Sequence, residues 1–197
     1  MKKKIAANTL VKKLNDKILG KLDISKTLIF GVVLKGLPVA YSIARINHTI
    51  GNLVPIVANR PLQLQHHVNS YLPSLKWKSY LQEQLNHCES LIIIDDIVNS
   101  GFTKQKLESI AISLTKGYKI SCWFAALILN QKNLAGPSFV YPGDIFASKI
   151  NAKEVECDWG TITVPLLDLP VEKARQRCEE YFQKHWLSEK RFVTITY

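Results

Sequence analysis

The stretch from Leu91 to Thr103, LIIIDDIVNSGFT, constrains the fold more than any other part of the chain. Its first four residues are apolar and predict a short strand that is buried on both faces, as in a parallel sheet covered by helices. Asp95 and Asp96 follow at the carboxyl end of that strand, which is the edge where open α/β sheets bind ligands. The stretch therefore predicts an α/β fold with a ligand site at these two acids.

A small polar turn and a helix follow the acids. The turn consists of Asn99, Ser100, Gly101, Phe102 and Thr103. Apolar residues then recur at helical spacing up to Gly117, at Leu107, Ile110, Ala111 and Leu114. A turn with free N–H groups and hydroxyls at a helix N-terminus is an anion site. Carboxylates beside it can accept hydrogen bonds from sugar hydroxyls, so the whole stretch predicts a site for a phosphorylated sugar.

Apolar periodicity predicts further elements along the chain. Residues 28–35, 53–58 and 119–129 read as strands, and Pro38 fits the first turn of a helix that continues to Ile46. Residues 5–20 predict an amphipathic helix closed by Gly20, and 171–186 predict a polar helix. Residues 191–197 alternate like an edge strand. No repeat or linker divides the sequence, so we expect a single domain over 1–197.

Composition is ordinary for a globular protein, with 47% hydrophobic and 21% charged residues. No apolar run approaches the roughly 18 residues of a membrane span, and no signal-like stretch follows the basic N-terminus. The cysteines form no CxxC pair, which disfavours a metal finger or a disulfide scaffold; they are Cys88, Cys122, Cys157 and Cys178. We therefore expect a cytoplasmic protein with no membrane partner.

The formal net charge is +10, and the first 35 positions are strongly basic, with Asp16 and Asp23 as their only acids. Two interpretations stay open. The lysines are a solvated face of the first helix, or they attract a polyanion such as a pyrophosphorylated sugar or a nucleic acid.

The stretch 92–103, IIIDDIVNSGFT, resembles the phosphoribosyl pyrophosphate (PRPP) motif of type I phosphoribosyltransferases. The resemblance implies a central, mostly parallel sheet flanked by helices, with a small C-terminal hood. It implies transfer of the 5-phosphoribosyl group from PRPP to a nitrogenous base, most simply a purine, with release of pyrophosphate and with Mg²⁺ as cofactor. Asp95 and Asp96 would hold ribose hydroxyls or water on the metal. The turn 99–103 would bind the 5′-phosphate.

Residues 32–44, VVLKGLPVAYSIA, resemble the pyrophosphate loop of the same family. In relatives the backbone at the positions of Lys35 and Gly36 folds tightly around the pyrophosphate, and Lys35 would lie beside it. Relatives often carry two glycines in this loop, whereas this chain has one, followed by Leu37.

Residues 59–87 occupy the position at which the family carries a flexible lid that closes over the substrate. The segment is long and polar, as functional or mobile connections tend to be. Ser70-Tyr71 matches a Ser-Tyr pair found in the lid of purine-type members, whereas Ser79-Tyr80 is expected on a helix. His66 and His67 are either exposed loop residues or metal ligands.

Residues 130–170 resemble the base-recognition hood of xanthine–guanine and hypoxanthine-type members. The resemblance implies that Lys132 reaches an exocyclic oxygen of the base and that Trp159 stacks on its ring. A surface lysine and a core aromatic are the structural alternatives for these two residues. Relatives commonly form dimers, so a homodimer is expected.

One departure from the family pattern concerns Asn99, which the resemblance places at a catalytic position. Hypoxanthine–guanine members usually carry Asp there, and that Asp accepts a proton from a ring nitrogen of the purine. Asn can accept a hydrogen bond but cannot take the proton as a carboxylate does. Three hypotheses therefore stay open: an active phosphoribosyltransferase, a non-catalytic PRPP- or nucleotide-binding regulator on the same fold, with or without contact to nucleic acid, and a different phosphate-binding α/β protein.

Overall fold

The computed structural model describes residues 1–33, 35–59, 69–71, 75–133, 145–159, 169–185 and 190–197. The strands are β1 (Lys2–Ala6), β2 (Thr27–Val33), β3 (Leu53–Asn59), β4 (Asn69–Tyr71), β5 (Ser90–Val98), β6 (Ser121–Asn130), β7 (Ile145–Ile150), β8 (Glu154–Cys157) and β9 (Phe192–Thr196). The helices are α1 (Ala7–Leu19), α2 (Gly36–Ile46), α3 (Leu75–His87), α4 (Phe102–Leu114) and α5 (Val171–His185).

Within these ranges, the larger sheet has the strand order β4-β3-β2-β5-β6-β7. Its strands β3, β2, β5, β6 and β7 are parallel, and β4 joins the edge antiparallel to β3. Central strand β5 is buried from Ser90 to Asp95, as its continuous apolar sequence predicts for a strand covered on both faces. The predicted α/β class with a mostly parallel sheet is thus confirmed.

Helices pack on this sheet through apolar stripes. Helix α1 buries Leu10, Val11, Leu14 and Ile18 and ends before Gly20, as predicted. Its start differs from the expectation, because Ile5 belongs to β1 and the helix begins at Ala7. Helices α2 and α5 meet through Tyr41 and Phe182, whose rings stack with centroids 4.0 Å apart.

The smaller sheet has the order β1-β9-β8 and is antiparallel throughout. The expectation of an edge strand at 191–197 was wrong, because β9 lies in the centre, between β1 and β8. Alternation along β9 buries Val193 and Ile195. The sheet therefore joins both ends of the described chain to β8, a strand of the expected hood. The basic residues 2–4 are exposed on β1, and their contact with a polyanion stays a prediction.

The range expected for the lid contains two described elements. Ser70 and Tyr71 lie on β4, where they pair with Ala58 and Val57. The last part of the range is helix α3, which carries Ser79 and Tyr80, as expected. Residues 60–68 and 72–74, including His66 and His67, lie outside the described residues.

Helix α3 is fastened to the body of the domain. It buries Leu81 and Leu85. The Tyr80 hydroxyl donates to the Gly51 carbonyl and accepts a hydrogen bond from Arg175 Nη2 at 2.8 Å. Helix α3 thus packs against the body of the domain, and a lid within 59–87 stays a prediction.

No helix in the described ranges combines the length and the apolar character needed to cross a lipid bilayer.

Candidate active site

The site lies at the carboxyl ends of β2 and β5, where the direction of winding in the sheet reverses. From β2 the chain proceeds to β3 on one side, and it then returns to place β5 on the other side. The connections that leave β2 and β5 therefore diverge and open a crevice, the usual ligand position in open α/β sheets. Helices α2 and α4 begin at this crevice, so their N-terminal N–H groups lie at the same edge of the sheet.

The connection from β2 to α2 brings Gly36 directly against Asp95. A β carbon built on Gly36 would lie 2.6 Å from the Asp95 α carbon and 2.8 Å from both Asp95 Oδ1 and the Ile94 carbonyl oxygen. These distances are below any real β-carbon contact, so the position requires glycine. Pro38 falls in the first turn of α2, where a missing N–H breaks no helical hydrogen bond.

The two acids lie shortly before the connection from β5 to α4. Asp95 is only 8% exposed, and its Oδ1 accepts a hydrogen bond from the Asp96 backbone N–H at 2.9 Å. Asp96 is half-buried. Both acids lie within β5, which continues to Val98, so they lie slightly before the end of the strand rather than beyond it.

The turn after β5 leads straight into α4. Gly101 has φ = 79°, a left-handed conformation that favours glycine, and Phe102 is the first residue of the helix. Ser100 and Thr103 are half-buried on either side. A left-handed glycine before a helix N-terminus turns successive N–H groups toward one point, which is the arrangement that binds phosphate oxygens.

The last residue of β8 and a residue shortly after this strand hold the connection from β2 to α2 in place. Lys35 Nζ donates to the Cys157 carbonyl at 2.9 Å, and the Trp159 indole N–H donates to the Lys35 carbonyl at 3.0 Å. Trp159 is 3% exposed. The structure thus places this predicted base-binding residue beside the predicted pyrophosphate loop. With its indole buried, stacking on a base would require the surrounding residues to move, so that role stays a prediction.

Cys157 is a member of the site that the sequence did not reveal. Burial raises the pKa of its thiol, and the negative charge of Asp96, together with a hydrogen bond to that carboxylate, raises it further; the Lys35 ammonium opposes this rise. The thiol is therefore a protonated donor toward Asp96. A lone cysteine in the sequence carries no signal for such a role.

Asn130 is a second residue that was missed. It is the last residue of β6, is completely buried, and donates through Nδ2 to Asn99 Oδ1 at 3.3 Å. A signal was available here, because a polar residue ends the apolar run of β6 at the same edge of the sheet as the acids.

The structure does not gather every predicted residue at the crevice. Lys132 is exposed on a short 3-10 turn that follows β6, and Ser70 and Tyr71 lie on β4 at the far edge of the sheet. Their roles in base recognition and in the lid stay predictions. The other parts of the expected hood, residues 134–144 and 160–168, lie outside the described residues.

Metal-ligating side chains are sparse in the described part of the chain. No three of its His, Cys, Asp and Glu residues gather into a set that could hold a metal ion. Asp95 and Asp96 supply carboxylate oxygens at the crevice, which are the ligands that hard cations prefer.

Comparison with known proteins gives a result at the level of the fold. No protein-family model and no curated protein matches the sequence. A xanthine-guanine-hypoxanthine phosphoribosyltransferase of Helicobacter pylori is similar in structure, with 16% identity over 75% of this chain and 82% of that chain and a TM-score of 0.53. A hypoxanthine-guanine phosphoribosyltransferase of Bacillus anthracis matches with 12% identity over 78% and 86%, at a TM-score of 0.52.

A hypoxanthine phosphoribosyltransferase of Trypanosoma cruzi, solved with the product IMP, matches with 12% identity over 76% of this chain and 80% of that chain, at a TM-score of 0.51. All three of these proteins are purine phosphoribosyltransferases. The chain therefore has the fold of the type I phosphoribosyltransferases.

Proposed function

We propose that the protein transfers the 5-phosphoribosyl group from PRPP to a purine-like base and releases pyrophosphate. The observation that carries the proposal is the close approach of Gly36 to Asp95. A β carbon built on Gly36 would lie only 2.6 Å from the Asp95 α carbon. This contact brings the backbone at the start of α2 against the two acids of β5. A ligand in the crevice would meet main-chain N–H groups on one side and carboxylates on the other.

The parts of PRPP fit this arrangement in a definite order. The turn 99–103 would hold the 5′-phosphate through its backbone N–H groups, with the hydroxyls of Ser100 and Thr103 close by. Asp95 and Asp96 would accept hydrogen bonds from the ribose hydroxyls. The backbone at Gly36 would bind the pyrophosphate, with Lys35 beside it. Displacement of pyrophosphate at the anomeric carbon then depends on positioning and on stabilisation of charge.

Mg²⁺ would be held by few protein ligands. The Asp95 and Asp96 carboxylates supply hard oxygen donors, directly or through water, and Mg²⁺ commonly keeps several waters while it binds substrate phosphates. When bound, the ion would neutralise charge on the departing pyrophosphate. Lys132 and Trp159 are the proposed base-binding residues, and Ser70-Tyr71 is the proposed lid pair.

The direct test is incubation with PRPP, Mg²⁺ and each of hypoxanthine, guanine, xanthine and adenine, with pyrophosphate release as the readout. We expect release with at least one base. The double variant Asp95→Asn, Asp96→Asn should lose about 100-fold or more of the rate, in line with the loss of one preorganised electrostatic group. Asp16→Asn, on the exposed face of α1, is the matched control and should keep full activity. Unchanged turnover in the double variant would rule out this site.

A second candidate function is a PRPP- or nucleotide-binding regulator. The neutral side chain at position 99 favours it, because an amide cannot take a proton from a base. The same incubation distinguishes the two candidates. A regulator would bind PRPP in calorimetry and release no pyrophosphate with any of the bases.

A further inference from the structure

A cavity of about 140 Å³ lies away from the crevice, where helices α1, α2 and α5 meet. On α2 its lining begins at Tyr41 and ends at Ile46, the last residue of the helix, whereas the crevice is at Gly36, the first residue. The cavity is therefore a separate site, beside the half of α2 that is farther from the proposed pyrophosphate loop.

Apolar groups form most of the cavity walls. Val11 of α1 and Phe182 of α5 are buried, and the rings of Tyr41 and Phe182 stack with an angle of 13° between their planes. Ile46 is 53% exposed, so the cavity reaches the surface there. Apolar cavities of about this size in proteins can take up a single benzene molecule. The volume and the lining therefore suit a ligand with one ring.

Arg45 brings a cationic hydrogen-bond donor to this apolar cavity. Its Nη1 is buried, and no atom of the described residues accepts a hydrogen bond from it. Glu179 is its ion-pair partner, but Glu179 Oε1 lies 4.0 Å from Nη1, which is too far for a hydrogen bond. The other oxygen of that carboxylate accepts from the Tyr41 hydroxyl. A buried N–H without an acceptor is costly, so a ligand oxygen beside Nη1 would relieve this cost.

The charges around the cavity favour a ligand with a single negative charge. The first turn of α1, which contributes Asn8 to the lining, has no acidic side chain and no side-chain cap, so the helix dipole adds positive potential. A carboxylate forms strong, charge-assisted hydrogen bonds with a guanidinium. A dianionic phosphate, in contrast, would lie close to the Glu179 carboxylate and would place a strongly hydrated group among apolar side chains.

We propose that this cavity binds a small carboxylic acid with one apolar ring, the carboxylate on Arg45 Nη1 and the ring against Val11 and Phe182. The site goes beyond the proposed function and does not depend on it, because none of its lining residues belongs to the crevice.

The experiment is an NMR titration of the full chain with benzoate, followed at the methyl groups of Val11. We expect saturable shifts with a Kd of about 1 mM or tighter, which is within reach for a ligand of this size. Nuclear Overhauser contacts should join the benzoate ring to these methyl groups. Benzamide has the same shape without the charge and should bind about tenfold or more weakly. Absence of saturable binding, or equal Kd values for benzoate and benzamide, would overturn the proposal.

Arg45→Gln provides the second measurement. The Arg45 side chain is 40% exposed, so the variant should fold, and its Kd for benzoate should rise about tenfold or more. Lys13→Gln removes a charge from the exposed face of α1 and is the matched control, with the wild-type Kd expected. An unchanged Kd in Arg45→Gln would overturn the proposal.

Two further arms locate the probe and test its chemistry. Displacement of benzoate by an equal concentration of inorganic phosphate would overturn the choice of an apolar carboxylate. The double variant Asp95→Asn, Asp96→Asn should bind benzoate as the wild type does. Loss of benzoate binding in that variant would place the probe in the crevice and overturn the separate site. Benzoate binding with no pyrophosphate release would leave this proposal standing while the proposed function failed.

Discussion

Gly36 and Asp95, which are distant in the sequence, lie so close that no side chain fits between them. A β carbon on Gly36 would be 2.6 Å from the Asp95 α carbon and 2.8 Å from its Oδ1. Because most of this contact is with backbone, a side-chain rotation at Asp95 cannot relieve it. The two connections that line the crevice can therefore approach this closely only because position 36 carries no β carbon.

Gly36→Ala should force these connections apart. We expect a loss of about 1–3 kcal/mol in the free energy of unfolding, the usual cost of overpacking, together with a clear loss of affinity for PRPP. Urea unfolding and calorimetry measure the two effects. Gly51→Ala is the matched control, because a β carbon there meets nothing within 4 Å, and its stability should stay within about 0.5 kcal/mol of the wild type. Equal PRPP affinity in both variants would contradict the pyrophosphate-loop assignment.

The two ends of α4 offer a second matched pair. Gly101 precedes the helix with φ = 79°, and Gly117 follows it with φ = 95°. Alanine at either position should cost roughly 1–2 kcal/mol of stability, since both require the left-handed conformation. Only Gly101→Ala should also weaken PRPP binding, because only this end of the helix faces the crevice. Isothermal titration of both variants, measured well below their unfolding midpoints, checks this. Similar losses of PRPP affinity in Gly101→Ala and Gly117→Ala would mean that the phosphate does not bind at the Gly101 turn.

The indole N–H of Trp159 should affect the pyrophosphate loop as well as the expected contact with the base. Trp159→Phe keeps an aromatic ring but removes the donor to the Lys35 carbonyl. We expect about 1–3 kcal/mol of destabilisation from the unsatisfied carbonyl and a raised KM for PRPP. Trp123→Phe loses a similar bond, to Ser121 Oγ at 2.9 Å at the exposed start of β6, and should leave the KM unchanged. An unchanged KM for PRPP in Trp159→Phe would show that this hood residue does not support the pyrophosphate loop.

Local patterns in the sequence predicted the elements that depend on local physics. The apolar run before Asp95, the apolar stripe of α1 and the small polar turn at Gly101 can each be recognised from a few neighbouring residues. Their signals are burial on two faces, helical periodicity and a glycine where a left-handed φ is needed. The central place of β9 could not be read in this way. Its alternation fits an edge strand equally well, and only pairing with both β1 and β8 distinguishes the two.

Contacts between distant segments were the part of the site that the sequence could not supply. Cys157 on β8 of the smaller sheet meets Asp96 on β5 of the larger one, and Asn130 at the end of β6 donates a hydrogen bond to Asn99, only because the fold brings together strands that are separate in the sequence. Such contacts produce no periodic pattern in the sequence. The polar end of β6 at Asn130 was the one local hint, and it becomes interpretable only when the register between β5 and β6 is known.

The thiol of Cys157 links the site to the pH dependence of stability. Burial and the neighbouring Asp96 raise its pKa in the folded protein, whereas in the unfolded chain a thiol ionises near its ordinary value of about 8.5. The unfolded state therefore loses this proton first as the pH rises. Its contribution to stability is complete below about pH 8.5 and falls above it by up to about 1.4 kcal/mol per pH unit.

Replacing this thiol should flatten that decline. Cys178 contributes in the same sense, because burial raises the pKa of its thiol to about 12, so Cys157→Ala should reduce the slope rather than abolish it. Urea unfolding at several pH values from 7.5 to 10 measures the difference. Cys122→Ala removes an exposed thiol and should reproduce the wild-type slope. If Cys157→Ala also shows the wild-type slope, the thiol is not held protonated beside Asp96. Cys157 would then no longer count as a member of the site.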